Sequence, residues 1–225
     1  MNIQVVENVQ KANDRIAAEN RALLHEHGIR SFNLIGSPGC GKTAWLERTL
    51  EAITPELTVG VLTGDLATTR DAERLAEYTP HVVQINTGRG CHLEAHQVRE
   101  GMSKLDVDAI DLLIVENVGN LICPVSWDLG QDAKVGMFSV TEGDDKPAKH
   151  PYIVLAADVI VLNKTDLLPY VPFRLERFRE DLASIRDDVP LIEASATTGV
   201  GLPAWVDWVR AFASRRKERL NEVPA

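Results

Sequence analysis

The sequence has no apolar run of the roughly 18 residues that a membrane-spanning helix needs, and only three of its 225 residues are cysteine. We therefore expect neither a transmembrane span nor a disulfide framework. Basic residues are in deficit, since 24 Lys and Arg against 33 Asp and Glu give a formal net charge of −9. This balance argues against a nucleic-acid partner. The first residues show no basic segment followed by an apolar one, so we expect no secretory signal, no membrane partner and a cytoplasmic location.

What the chain does contain is an alternation of apolar runs and helix-like stretches. The apolar runs lie near residues 32–36, 57–64, 81–86, 111–115, 157–162 and 189–194. Such alternation predicts an α/β fold with a mostly parallel sheet flanked by helices. Apolar residues at helical spacing over residues 6–27 predict an N-terminal helix with Gly28 as its C-cap, so residues 1–28 are expected to form an N-terminal helical segment. Residues 124–150 are rich in glycine and proline and are expected to form a long functional loop.

The segment that follows the first apolar run, residues 36–43, reads GSPGCGKT. It matches the phosphate-loop pattern GxxxxGK[ST] in its required setting between a strand and a helix, which predicts a P-loop NTPase fold. Backbone N–H groups in such a loop, and the helix N-terminus after it, attract phosphate. Lys42 is expected to reach the β- and γ-phosphates and Thr43 to bind Mg²⁺. The residues expected around the phosphates are Gly36, Ser37, Pro38, Gly39, Cys40, Gly41, Lys42 and Thr43.

A second motif, Asn163-Lys164-Thr165-Asp166, follows an apolar run and indicates which base is bound. The Asp166 carboxylate can accept hydrogen bonds from the paired donors of guanine, an edge that adenine lacks. Asn163 can donate to the acceptor side of the base, and the Lys164 stem can cover the ring. Ser195 and Ala196 end a later run and resemble the turn that supports guanine in GTPases. The nucleotide is therefore predicted to be GTP or GDP, bound by a GTPase domain over residues 29–225.

Acidic residues at strand ends are candidates for the chemistry at the metal and the attacking water. Glu116 ends one apolar run, and Asp65 ends another. Together with Lys42, these two are the predicted catalytic residues, and Glu116 can also hold Mg²⁺ directly or through water. Asp71 is a further Mg²⁺ candidate, although an Asp at that position also suits the first turn of a helix. No arginine is obviously placed as a finger and no glutamine follows Gly119, so intrinsic hydrolysis is expected to be slow.

Three soft or borderline donors, Cys91, His92 and Cys123, follow two different strand ends. The carboxyl ends of parallel strands meet at one rim, so these side chains should lie beside the nucleotide. Thiolate and imidazole suit Zn²⁺ or Ni²⁺ and not Mg²⁺. Spacing alone leaves a second interpretation open, in which the thiols are small buried side chains and His92 is structural. Cys40 is interpreted as a filler of the tight loop, without a metal role.

In combination, residues 36–43, 90–93, 116–121 with Cys123-Pro124, and 163–166 resemble the HypB family, the hydrogenase nickel-incorporation GTPases of the SIMIBI class. The resemblance covers essentially the whole chain, including Lys11-Ala12-Asn13-Asp14 in the N-terminal helix. It implies a GTP-dependent homodimer that works with a nickel-handling accessory protein. The nickel would pass to the precursor of the [NiFe]-hydrogenase large subunit.

The resemblance also implies residue roles. Cys91, His92 and Cys123 correspond to metal ligands at the dimer interface, and the Mg²⁺ ligands correspond to Thr43, Asp71 and Glu116. Two alternatives remain. A urease-type nickel GTPase would carry a Cys-Pro-His motif that this chain lacks. The other is a zinc-binding structural scaffold in which GTP only supports folding. A small-molecule kinase is disfavoured by residues 163–166.

Overall fold

The computed structural model describes residues 9–65 and 68–221, with the backbone alone for residues 9 and 215–221. In this part of the chain, seven strands form one parallel sheet in the order β3-β2-β4-β1-β5-β6-β7. The strands are β1 (Arg30–Gly36), β2 (Val59–Asp65), β3 (Val82–Asn86), β4 (Leu112–Glu116), β5 (Ala133–Ser139), β6 (Val159–Asn163) and β7 (Leu191–Glu193). The predicted P-loop NTPase architecture is confirmed.

Helices cover both faces of this sheet. They are α1 (Val9–Glu26), α2 (Lys42–Ile53), α3 (Arg70–Leu75), α4 (Ala95–Met102), α5 (Lys146–Lys149), α6 (Pro151–Ala156), α7 (Leu175–Ile185) and α8 (Leu202–Asn221). Among the described residues, none of the helices combines the length and apolar character needed to cross a bilayer.

Alternation along the central strands explains the two covered faces. In β4, Leu112 and Ile114 face the cluster that α2 and α8 complete, whereas Leu113 and Val115 face the cluster of α1 and α4. Successive side chains of a strand point to opposite faces, so a strand buried on both sides reads as a continuous apolar run. The other half of the second face is filled by α6 and α7, and the buried ring of Phe178 on α7 packs against Phe138 of β5.

The prediction of a long loop over residues 124–150 is wrong. Strand β5 lies within this range, between β1 and β6, and its residues are almost all buried. Gly136 explains why the pattern is hard to read, because a Cβ there would lie 2.7 Å from Ile160 Cδ1. Glycine in a strand usually weakens it, yet here it permits close packing against the next strand.

The predicted N-terminal helix is confirmed as α1, and its first predicted residues, 6–8, lie outside the described part of the chain. It ends before Gly28, whose φ of 74° is the left-handed conformation that closes many helices. Helix α1 packs against α4 and β1. Because all strands are parallel, the loops that follow β1, β2, β3, β4 and β6 gather at one rim of the sheet, where ligands bind in folds of this type.

Candidate nucleotide and metal sites

The loop between β1 and α2 has the conformation of an anion-binding turn. Gly39 and Gly41 have φ values of 74° and 99°, which residues with a side chain rarely adopt. At Gly41 a Cβ would also lie 2.5 Å from the Asn163 side-chain nitrogen. Glycine is therefore favoured at both positions by backbone conformation, and at Gly41 also by the close approach of the 163–166 motif.

The 163–166 motif is hydrogen-bonded to the phosphate loop. Asn163 Nδ2 donates to the Cys40 carbonyl at 2.9 Å, and Lys164 Nζ donates to the Gly39 carbonyl at 2.6 Å. Lys164 has a φ of 63°, an uncommon value for a residue with a side chain. Such conformations persist where the surroundings enforce them, which is frequent at functional sites. The two motifs thus form one structural unit, although the bonded residues are 123 and 125 positions apart in the sequence.

The residues predicted to read guanine are hydrogen-bonded to each other. Ser195 Oγ donates to Asp166 Oδ1 at 2.6 Å, and the Ala196 N–H donates to Asn163 Oδ1 at 3.1 Å. These bonds fix the orientation of the Asp166 carboxylate, which is half-buried, and of the Asn163 amide. The turn after β7 therefore supports the motif after β6, as a guanine-binding pair of loops requires.

Lys42 lies at the first turn of α2 with its ammonium group inside the phosphate loop. Its Nζ donates to the carbonyl oxygens of Gly36 and Ser37 at 3.2 and 3.4 Å, and the residue is 8 % exposed. Two neutral carbonyls accept from this amine, and an ammonium group has three N–H donors, so a further donor can serve an anion. The position suits contact with phosphate oxygens.

Glu116 ends β4 and faces Thr43 at the start of α2. The Thr43 hydroxyl donates to Glu116 Oε1 at 2.8 Å, whereas Oε2 is buried without a hydrogen-bond partner among the described residues. Burial raises the pKa of Glu116 to about 7, and the nearby charge of Lys42 acts in the opposite direction. An unpartnered buried carboxylate oxygen beside a hydroxyl fits a Mg²⁺ site, because a bound cation would favour the ionised carboxylate.

These groups border a cleft of about 470 Å³. The predicted residues Asp65 and Asp71 lie on its wall with Lys42, Thr43 and Glu116, so the structure brings the predicted acidic groups together. Asp71 is the second residue of α3, whose N-cap is Thr69. It therefore occupies a first-turn position and also faces the cleft, so both of its predicted roles are compatible with its place.

Arg74, which no motif in the sequence marks, also lines this cleft. Its guanidinium forms two hydrogen bonds with the Glu47 carboxylate, at 2.8 and 2.7 Å, and lies 3.4 Å from Asp71 Oδ1. The hydrogen bond with Glu47 raises the pKa of Arg74. The only signal in the sequence was its place one turn after Asp71, which on a helix puts both on one face.

The two cysteines and the histidine predicted to bind a metal lie together on the same rim. One donor atom from each of Cys91, His92 and Cys123 can be chosen so that all three lie within 4.8 Å of one another. Cys91 is exposed and Cys123 half-buried, which disfavours the interpretation of both as buried core thiols. The Cys91 Sγ lies 3.5 Å from His92 Nδ1, and its hydrogen bond with the Cys123 thiol raises the pKa of Cys91.

Trp127 backs the histidine of this cluster. The two rings lie 4.6 Å apart between centroids with an interplanar angle of 33°. The remaining ring nitrogen, His92 Nε2, is buried without a hydrogen-bond partner among the described residues. Burial lowers the pKa of His92, which favours the neutral imidazole that binds metals.

The third cysteine differs from these two. Cys40 is fully buried and burial raises its pKa to about 11, consistent with a space-filling thiol.

Two asparagines after β4 connect the cleft to the metal cluster. The Asn120 N–H donates to the Gly36 carbonyl at 3.0 Å, and its Nδ2 donates to the Cys91 carbonyl at 3.3 Å. Asn117 Oδ1 accepts from the N–H of Leu93, which follows His92, at 3.1 Å. In the sequence these asparagines stand only as members of the 116–121 motif. Their side-chain bonds reach segments 24 and 29 positions away, which no local pattern shows.

Comparison with known proteins agrees with this arrangement. The family model "CobW/HypB/UreG, nucleotide-binding domain" matches residues 31–193. The hydrogenase maturation factor HypB of Azotobacter vinelandii is 42% identical over 222 residues, covering 98% of this chain and 73% of that protein. The chain belongs to the HypB family.

Solved structures of HypB proteins share the fold described above. The HypB of Archaeoglobus fulgidus superposes with a TM-score of 0.85 at 41% identity, covering 90% of this chain and 99% of that one. The HypB of Helicobacter pylori, solved in complex with nickel, has the same TM-score at 33% identity and covers 90% and 95%. The resemblance to HypB inferred from the motifs is thus confirmed, and nucleotide binding belongs to the family's common domain.

Proposed function

We propose that this chain is a GTP-hydrolysing metallochaperone that delivers nickel during the maturation of [NiFe]-hydrogenase. One observation carries the proposal: a two-thiol, one-imidazole cluster is hydrogen-bonded through Asn120 to the carbonyl of Gly36 in the phosphate loop. Soft donors of this kind select nickel or zinc. Membership of a family of hydrogenase maturation factors, one of which was crystallised with nickel, supports nickel as the cargo.

In this proposal GTP occupies the cleft at the phosphate loop. Lys42 would contact the β- and γ-phosphates, and Thr43, Asp71 and Glu116 would hold a Mg²⁺ ion that supplies positive charge when bound. Asp65, at the end of β2, lies where it can orient the attacking water. Because the Arg74 guanidinium is already paired with Glu47, no free arginine is assigned to the reaction, and slow intrinsic hydrolysis is expected.

The bound nucleotide would change the geometry of the metal ligands through the segment that follows β4. Glu116 faces the Mg²⁺ position, Asn120 touches both the phosphate loop and the backbone of Cys91, and Cys123 follows three residues later. A γ-phosphate orders such segments in other switch GTPases and releases them on hydrolysis. A shift of this short segment therefore moves Cys123 relative to Cys91 without a long relay.

We also propose that the chain acts as a cytoplasmic homodimer, with residues 1–28 as an N-terminal helix on a GTPase domain of residues 29–225. Three donors leave at least one coordination position open, which a second copy can fill. Ile122, next to Cys123, is 65% exposed, an apolar contact available beside the metal cluster. A nickel-handling accessory protein and the hydrogenase large-subunit precursor are the proposed partners for loading and delivery.

The proposal is tested by titrating Ni²⁺ and Zn²⁺ into the chain with GDP–Mg²⁺ and, separately, with a non-hydrolysable GTP analogue. If the chain is a nucleotide-dependent chaperone, its metal affinities in the two nucleotide states should differ by about 5- to 150-fold, the usual range of coupling between two sites. In Asn120→Ala the difference should shrink, because the side-chain bond to Cys91 is lost. Equal affinities in both nucleotide states would favour the zinc scaffold.

Replacing Asp166 with asparagine is expected to weaken GTP binding and to favour xanthosine triphosphate. The variant places a donor where guanine needs an acceptor, whereas xanthine presents a carbonyl there. Losing a hydrogen bond to a charged group costs about 1.5–3 kcal/mol, which corresponds to roughly 10- to 150-fold in affinity. Competition binding with both nucleotides measures the change, and an unaltered preference would remove Asp166 from the base pocket.

A further inference from the structure

Two asparagine side chains on α1 are buried, and both the oxygen and the nitrogen of each side-chain amide are hydrogen-bonded. Asn13 is 6% exposed and Asn20 is 0% exposed. Asn13 Oδ1 accepts from the Ala95 N–H at 2.8 Å, and its Nδ2 donates to the Asp128 carbonyl at 2.8 Å. Asn20 Nδ2 donates to the carbonyls of Ala95 and Leu129 at 2.8 and 3.0 Å. Each amide therefore bridges the same two segments of backbone.

Those two segments carry the two halves of the metal cluster. Ala95 is the first residue of α4 and lies three positions after His92. Asp128 lies five positions after Cys123 and directly follows Trp127, whose ring contacts that of His92. The halves follow different strands, β3 and β4, so their separation depends on contacts between the loops and on what holds the loops from behind.

Other bonds secure the same junction. Arg21 pairs with the Asp128 carboxylate at 2.8 Å, and Arg99 Nε donates to Asn20 Oδ1 at 2.7 Å. At Gly130 a Cβ would lie 2.6 Å from the Ala17 carbonyl, so the chain after Cys123 approaches the backbone of α1 directly. None of these contacts involves the phosphate loop or the turns after β6 and β7. Helix α1 therefore supports the segments that carry the metal cluster.

We propose that Asn13 and Asn20 are positioning residues for the metal cluster: they fix the distance between the Cys91–His92 pair and Cys123 by tying both segments to α1. The proposal rests on the metal-binding role argued above. Metal affinity depends on outer groups that orient the ligands, and their loss commonly costs about 10- to 100-fold. Here Asn13 and Asn20 would orient the ligands by binding the backbone of both segments, one after His92 and the other after Trp127.

The test compares Asn13→Leu with Thr79→Val in the full-length chain. Both substitutions nearly preserve size and remove buried hydrogen bonds; Thr79 donates to the Val59 carbonyl at 2.7 Å, at the edge of the sheet formed by β2 and β3. Two measurements are made on each variant: Ni²⁺ affinity with the sulfur-to-nickel charge-transfer spectrum, and the affinity of phenylarsine oxide. Phenylarsine oxide condenses with two neighbouring thiols and releases water, so it reports the Cys91–Cys123 separation without nickel.

We expect Asn13→Leu to weaken Ni²⁺ binding at least about tenfold, to change the charge-transfer spectrum and to weaken arsenical binding, while GTP affinity stays unchanged. Thr79→Val should lower the unfolding temperature and leave both thiol readouts at wild-type values. Asn13→Asp retains the acceptor for the Ala95 N–H but loses the donor to the Asp128 carbonyl. It replaces Asn13→Leu in both measurements if that variant does not fold. Its effects should have the same sign.

Two results would overturn the positioning role. One is wild-type arsenical and nickel binding in the folded Asn13 variants. The other is an equal loss in Thr79→Val, which would mean that lowered stability alone loosens the cluster. Failure of the metal role itself is recognised separately: nickel affinity would then be insensitive to Cys91→Ala in the otherwise wild-type chain, while the arsenical measurement still decides whether Asn13 sets the separation of the thiols.

Discussion

Replacing Lys42 with alanine is expected to reduce GTP hydrolysis by at least about 100-fold while the chain remains folded. Removing one preorganised donor from a charged transition state commonly costs this much or more. Lys42 Nζ donates to the carbonyls of Gly36 and Ser37, and neither bond holds two distant elements together. The lost ammonium group therefore serves phosphate far more than it serves packing. Phosphate release under single-turnover conditions measures the rate.

The comparison variant is Lys104→Ala, which removes a positive charge that pairs with Glu100 on the surface, away from the cleft. It should hydrolyse GTP at the wild-type rate. Circular dichroism and thermal unfolding establish that both variants fold. Undiminished hydrolysis by folded Lys42→Ala would mean that the phosphate loop is not where the reaction takes place.

The phosphate loop could be predicted from the sequence because its constraints are local. Gly39 and Gly41 adopt positive φ values that a loop of this shape demands, and Lys42 and Thr43 follow at fixed spacing. The 163–166 motif could be placed because it ends an apolar run, which marks a strand end. The proximity of Cys91 and Cys123 could also be predicted, because each follows a strand and parallel strands end at one rim.

What could not be predicted depends on contacts between distant positions. Strand β5 was missed because Gly136 breaks its apolar pattern, and only the neighbouring Ile160 side chain explains that glycine. The bonds from Asn13 to Ala95 and Asp128 span 82 and 115 positions. A buried asparagine on a helix reads in sequence as an exposed polar residue, so its bridging role emerges only once the loops are placed.

Single alanine substitutions of Cys91, His92 and Cys123 should each weaken Ni²⁺ or Zn²⁺ binding by more than about tenfold, because losing a ligand should cost at least as much as losing an outer partner. Their donor atoms lie within 4.8 Å of one another and can share one ion. Cys40 cannot replace a lost thiolate, since it is fully buried and burial raises its pKa to about 11. GTP affinity should be preserved, because none of the three contributes to the nucleotide cleft.

The matched control is His96→Ala, which removes an exposed imidazole four residues after His92 that pairs with Glu94. It should bind metal like the wild type.

In the wild type, metal affinity should fall as the pH is lowered, because protons compete with the metal for thiolate and imidazole. Light scattering with and without metal tests whether a second copy completes the coordination shell. If the three ligand variants bound both metals like the wild type, the cluster would be structural, and the dependence of nickel binding on nucleotide would have to arise at another site.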